Sequence, residues 1–197
     1  MNGGEPGTGT AASDIIRMSL SLRVSTFTVQ AFAAGMLSAL GHDPTFAARD
    51  YSGEIECNPD TGEGASLVLR VKAASLKLVN DFSSKDRRTI EDTMQAEVLE
   101  SATFPDITYD SPASVTVATR TVDGQFDLAM NGTLALHGVS RRHPITAKVI
   151  ASAAMLRAFG QFAIRQSDYG IKPVNVGGGA LKVKDELKCV FDVVARP

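Results

Sequence analysis

Residues 124–150, GQFDLAMNGTLALHGVSRRHPITAKVI, carry the longest clean alternation of apolar and polar side chains in the chain. Phe126, Leu128, Met130, Leu134 and Leu136 fall on one parity, and Gln125, Asp127, Asn131 and Thr133 fall on the other. A period of two is the mark of a pleated strand with one dry face. Gly132 interrupts that face, and a glycine inside a strand signals a bulge, a bend or a close approach by another group. After His137-Gly138-Val139-Ser140 the parity returns with Ile145, Ala147, Val149 and Ala151, so the two halves are predicted to pair as an antiparallel hairpin.

The rest of the chain reads outward from this hairpin. Leu20 to Phe32 is β-branched and aromatic, a first strand that Gly41-His42-Asp43-Pro44 breaks off. Thr45 to Cys57 is extended again up to the turn cluster Asn58-Pro59-Asp60-Thr61-Gly62. Leu67, Leu69, Val71 and Ala73 share one parity against Arg70 and Lys72. The period then changes: Ser83-Ser84-Lys85-Asp86 reads as a capped helix start, with Ile90, Met94 and Val98 on one helical face and Arg87–Glu91 and Arg88–Asp92 as pairs on the other. Pro105 ends the helix, and Ile107, Tyr109, Val115 and Val117 lead back to the hairpin. Leu156 to Ile164 and Leu181 to Val194 supply the last strands, around a loop with Lys172-Pro173 and Gly177-Gly178-Gly179. That glycine run lacks the spacing of a phosphate-binding loop and reads as a flexible turn. Residues 1–19 are predicted as a disordered tail and 20–197 as one domain.

The expected fold is therefore all-β: an antiparallel up-and-down barrel of about eight strands, with one α-helix between strands. With 20 basic and 22 acidic residues, a net charge of -2 and no run of one sign, nothing suggests a nucleic-acid surface. No apolar run reaches the ~18 residues of a membrane-spanning helix. Arg17 to Leu40 resembles a signal peptide only weakly, since Gln30 interrupts it, so a cytoplasmic location is expected ahead of a periplasmic or secreted one. Lys184-Asp185-Glu186-Leu187 is internal and carries no address. Cys57 and Cys189, without CxxC spacing, read as small buried hydrophobes, with a bond between them left open.

An eight-stranded barrel either fills with side chains or encloses one small ligand. The presumed inner faces mix large and very small residues: Gly132 beside Met130 and Leu134, Ala158 and Gly160 beside Leu156 and Phe162, Ala147 beside Ile145. A tapered, filled barrel and a hollow one both fit that pattern. Asp185 breaks the apolar parity of the last strand and is expected at a bulge.

Three segments carry a resemblance. Gly132 to Arg141 resembles an apolar strand ending in a His/Arg-Gly-Val-Thr/Ser turn. Asp86-Arg87-Arg88 through Met94 with Phe104-Pro105-Asp106-Ile107-Thr108-Tyr109 resembles a helix followed by a "PEITF" strand, and Gln166-Ser167-Asp168-Tyr169-Gly170-Ile171 resembles an "R-x-DFGI" segment. Together they resemble the YceI-like family over roughly Arg23 to Ala195, except that VQAFAAGMLSALGHDPTF replaces the family's usual opening. The resemblance implies a lipocalin-like barrel that binds a polyisoprenoid or quinone-like lipid along its axis, and no catalysis. The expected wall is Leu67, Leu69, Phe126, Leu128, Met130, Leu134, Leu136, Phe162, Ile164 and Phe191, with His42, His137 and Asp168 as motif positions near turns.

His137 and His143 flank one turn, but neither a nearby cysteine nor a His-x₃-His spacing accompanies them, so no metal site is expected. No nucleophile-elbow sequence is present. Two other readings stay open: an enzyme on an isoprenoid-like substrate using His42, His137 or Asp168, and a filled scaffold that dimerises through a strand edge. No cofactor is expected besides a bound lipid, and whether transport, storage or stress protection is its purpose is not written in the sequence.

Overall fold

A computed structural model describes residues 15–34, 43–59, 61–112, 116–120, 125–176 and 181–197. The strands are β1 (Ile16–Leu20), β2 (Thr26–Ala34), β3 (Thr45–Ala47), β4 (Tyr51–Cys57), β5 (Ser66–Lys72), β6 (Lys77–Leu78), β7 (Asp106–Ser111), β8 (Thr116–Arg120), β9 (Gln125–Leu136), β10 (Val139–Ser152), β11 (Met155–Arg165), β12 (Asn175–Val176) and β13 (Leu181–Arg196). The helix α1 (Ser84–Thr93) runs on into one wide π-turn over Met94–Val98.

Eight strands close an antiparallel barrel in the order β1, β4, β5, β7, β9, β10, β11, β13, and β13 returns to β1 through Ser19↔Arg196 and Leu20↔Ala195. β2 pairs with β13 along the side where β1 takes only its last residues, and β3 pairs with β2, while β6, β8 and β12 pair at the margins. Closure gives each barrel strand a paired neighbour on both sides over at least part of its length, so among the described residues no whole barrel-strand edge is left free for a strand-edge dimer.

The β9–β10 hairpin forms as its alternation requires, from Leu136↔Val139 to Gln125↔Ile150. Its two-residue turn places His137 at φ 52 and Gly138 at φ 74, the left-handed pair that matches the twist of the flanking strands. At Gly132 the register is continuous, so the glycine answers a close approach rather than a bulge. A Cβ there would stand 2.4 Å from Cζ of Tyr109.

The boundary expected at residue 20 moves. Ile16–Leu20 is already a strand, paired to both β4 and β13, with Met18 only 1% exposed. Its short alternation, Ile16-Met18-Leu20, is separated from β2 by residues 21–25, and this interruption hid it from a reading that began with one long strand. Residues 1–14 of the predicted tail lie outside the described residues.

The helix cap is as predicted, with the Asp86 N–H donating to Ser83 Oγ at 3.1 Å. The Arg87–Glu91 pair is not. Arg87 donates instead to the carbonyls of Leu78 and Asn80, and Glu91 accepts from the Leu78 N–H at 2.9 Å, so both side chains staple α1 to β6. Asp185 sits where the β13–β2 register shifts between Val183 and Leu187, and accepts from Ser167 N at 2.8 Å and Ser167 Oγ at 2.6 Å. The bulge is what takes the carboxylate out of the apolar wall.

Outward positions carry charge, including Asp127–Lys148 and Arg157–Asp192, the reverse of the apolar band of a lipid-facing barrel. Among the described residues no helix is long and apolar enough to cross a membrane.

Candidate functional site

Inward side chains of the closed ring surround a cavity of about 210 Å³ whose exposed wall is wholly apolar. Every residue expected on the wall reaches it: Leu67 and Leu69 from β5, Phe126, Leu128, Met130, Leu134 and Leu136 from β9, Phe162 and Ile164 from β11, Phe191 from β13. Leu20, Ile55, Val98, Leu99 and Ile107 are among the further wall residues and were missed, while Ile145 lies on the wall as its inner-face place beside Ala147 implied. Ile55 and Ile145 lie on inward parities that the sequence displays. Val98 and Leu99 come from the π-turn, whose wider winding no periodicity announces.

The two glycines do not create the vacancy. Tyr109 fills the place of the missing side chain at Gly132, and its hydroxyl accepts from the Gly132 N–H at 3.0 Å and donates to the His143 carbonyl at 3.1 Å. Phe191 fills the place at Gly160, where a Cβ would stand 2.8 Å from its Cζ. Ala48, Ala65, Ala147 and Ala158 are short side chains that line the cavity.

Ionisable groups on the wall stay protonated at neutral pH. Burial pushes the Cys189 thiol up to about 12 and raises Cys57 and Tyr109 as well. Both cysteines are free and buried. Gln166, 3% exposed, spends its amide N–H on the Lys184 carbonyl at 2.9 Å.

The described motif positions, His137 and Asp168, are not among the residues that line the cavity. His137 lies 3.2 Å from Glu100 Oε2 and stacks at 4.3 Å on the Phe104 ring, which ties the turn to the segment after α1. His143 pairs with Gly132 in mid-strand and faces the Phe162 ring at 5.2 Å, and burial lowers its pKa against the opposing pull of Asp168. Asp168 receives the Arg141 guanidinium on its carboxylate at 2.8 Å and on its carbonyl at 2.9 Å, and so pins the 3₁₀ turn Gln166–Tyr169 to β10. His42 lies outside the described residues. Among the described residues no three His, Cys, Asp or Glu side chains gather as a metal site.

Set against known proteins, a family model described as the YceI-like domain matches residues 19–195. Among solved structures the chain is similar to BcnA of Burkholderia cenocepacia, with a TM-score of 0.66 at 17% identity over 89% of this chain and 98% of that one. It is similar to a polyisoprenoid binding domain from Saccharophagus degradans implicated in plant cell wall breakdown, with a TM-score of 0.65 at 16% identity over 91% and 97%. The Campylobacter jejuni YCEI protein follows at 0.56 and 19% identity, over 76% and 82%. At these identities the structural likeness establishes the fold. No curated protein matches the sequence.

Proposed function

The chain belongs to the YceI-like domain family, and from that premise we propose that it binds the apolar tail of an isoprenoid or similar quinone-like lipid inside its barrel. The observation that carries this reading is the cavity of about 210 Å³ with a wholly apolar wall. An apolar chain that enters it gains roughly 0.8 kcal/mol for each CH₂ removed from water. The S. degradans relative, whose description names polyisoprenoid binding, supports the same ligand class.

Binding fits the wall better than turnover does. Acid–base catalysis calls for a group poised near neutral pH, and the wall groups here are Cys57, Cys189 and Tyr109, each held in its neutral form by burial. A protein that keeps such a lipid out of water serves equally its transport, its storage or its protection from reaction.

Native mass spectrometry of the purified protein, followed by solvent extraction, tests the reading. A stoichiometric isoprenoid or quinone is the expected result, and Met130→Arg or Leu128→Arg should abolish uptake in a barrel that still folds. Retained uptake by such a folded variant removes this cavity as the site. A ligand-free mass that persists after incubation with quinones and prenyl chains removes the function.

A further inference from the structure

β10 is bonded unequally on its two sides. Toward β9 it pairs along twelve successive positions, Val139 to Ile150. Toward β11 it pairs only from Lys148↔Phe159 to Ser152↔Met155, although β11 continues to Arg165. Between Val139 and Ala147 on one strand and Gly160 and Arg165 on the other, the barrel wall has no ladder.

The sequence explains the gap. In a two-residue hairpin the closing pair, Leu136–Val139, exchanges both backbone hydrogen bonds, and such pairs recur at every second residue. Odd-numbered residues of β10 therefore turn their backbone groups to β9 and even-numbered ones to β11. The Thr146 carbonyl accordingly stands 2.8 Å from where a Cβ of Gly160 would lie. Pro144 is even-numbered, so the donor it lacks is one that β11 would have received. Proline and an interior glycine are the two residues that weaken a ladder, and this gap has one on each side.

Side chains close what the ladder leaves open. At the outer end Arg141 grips Asp168 across the gap, half-exposed on both partners and therefore cheap to break. Midway, the His143 ring meets the Phe162 ring. Ile145 on β10 and Phe162 and Ile164 on β11 line the cavity beside this seam.

Building on the lipid-binding reading, we infer that the β10–β11 gap is the lateral door through which the ligand enters the barrel, with Arg141–Asp168 as its latch and His143–Phe162 as its leaf. A long flexible chain can slip sideways through a parted seam without being threaded end-on, and parting this seam breaks the exposed Arg141–Asp168 ion pair with its carbonyl hydrogen bond and one ring contact.

The experiment locks the door. Arg141→Cys with Asp168→Cys, bridged by a short bis-reactive thiol cross-linker, leaves Cys57 and Cys189 untouched because both are buried. A fully ring-substituted, thiol-inert alkyl-tailed benzoquinone is the probe, and native mass spectrometry follows loading against time. The bridge should slow loading about tenfold or more and leave the final stoichiometry unchanged. The same bridge across β1 and β4, in Arg17→Cys with Glu56→Cys, should leave the rate as it is. Equal rates with and without the first bridge, or equal slowing by both, overturn the inference. Failure of the unmodified protein to load at all is seen before any bridge is made, and removes the lipid reading together with the door. Should the double-cysteine protein not fold, Pro144→Thr restores the donor toward β11: slower loading is expected, and an unchanged rate overturns the door.

Discussion

Two regions of the barrel interior contain equally small residues and behave oppositely. At Gly132 and Gly160 the interior is full, because Tyr109 and Phe191 lay their rings over the missing side chains. Around Leu128, Met130, Ala147 and Ala158 it is hollow. Small wall residues therefore do not by themselves make a cavity. What decides is whether a neighbouring strand sends a ring into the space, and protein interiors keep no such space unless the surrounding frame cannot collapse. Here the closed ring of strands is that frame.

The largest effect expected from breaking this contrast is at Gly132. An added methyl meets Tyr109 Cζ at 2.4 Å and the Asp110 carbonyl oxygen at 2.7 Å, and the second of these is backbone that cannot step aside. Gly132→Ala should lower unfolding free energy by about 3 kcal/mol in urea titration. A second substitution, Tyr109→Leu, should recover part of the loss, which makes the pair non-additive. Simple additivity of the two would show that the ring is not what fills the gap. Tyr109→Phe keeps the ring and removes only the hydroxyl that accepts from Gly132 and donates to His143. Gly132 and His143 still face each other in the β9–β10 ladder, so the lost hydroxyl is expected to cost only about 1 kcal/mol.

The hollow region should respond with the opposite sign. Ala147 is 3% exposed and lines the cavity, so Ala147→Leu directs its added methyl groups toward that space. Stability is expected to stay level or rise by up to ~1 kcal/mol, while quinone loading falls because volume is lost. A destabilisation as large as that of Gly132→Ala would mean that the cavity is not there.

The same contrast explains what could be read beforehand. The alternation of Phe126 to Leu136 and of Ile145 to Val149 fixed the hairpin and most of the wall, because period two allows only one dry face. The family segments were legible because they are turns and caps, where chemistry is local: Ser83 capping α1, His137-Gly138 at positive φ. Occupancy of the interior was not legible. Whether Gly132 faces a ring or a void depends on Tyr109, which pairs with Leu134 from a strand that ends 14 residues before β9 begins, and no local pattern encodes that meeting. Val98 and Leu99 were hidden for a related reason, since a π-turn shifts which side chains face inward. The first strand, cut short by residues 21–25, was simply too brief to register as a period.

The smallest expected effect separates the edge of the interior from the outer surface by pH. Burial lowers the pKa of His143, so the folded protein resists a proton that the unfolded chain accepts near 6.5. The unfolded state then binds more protons, and stability is expected to be full above about 6.5 and to decline as pH falls through the folded value. Asp168 opposes the shift and keeps the slope shallow. Outside, Asp106 and Asp192 are held low chiefly by hydrogen bonds from Lys72 and Arg157, and Asp185 by those of Ser167. Their contribution is complete above about 3.9 and disappears only as pH falls through their depressed folded values. Urea midpoints should therefore drop gently once pH falls below about 6.5, level off, and drop again below about 4. His143→Gln should flatten the first step and leave the second. A first step that survives this substitution would assign it to another group and leave the His143–Phe162 contact without a measurable charge state.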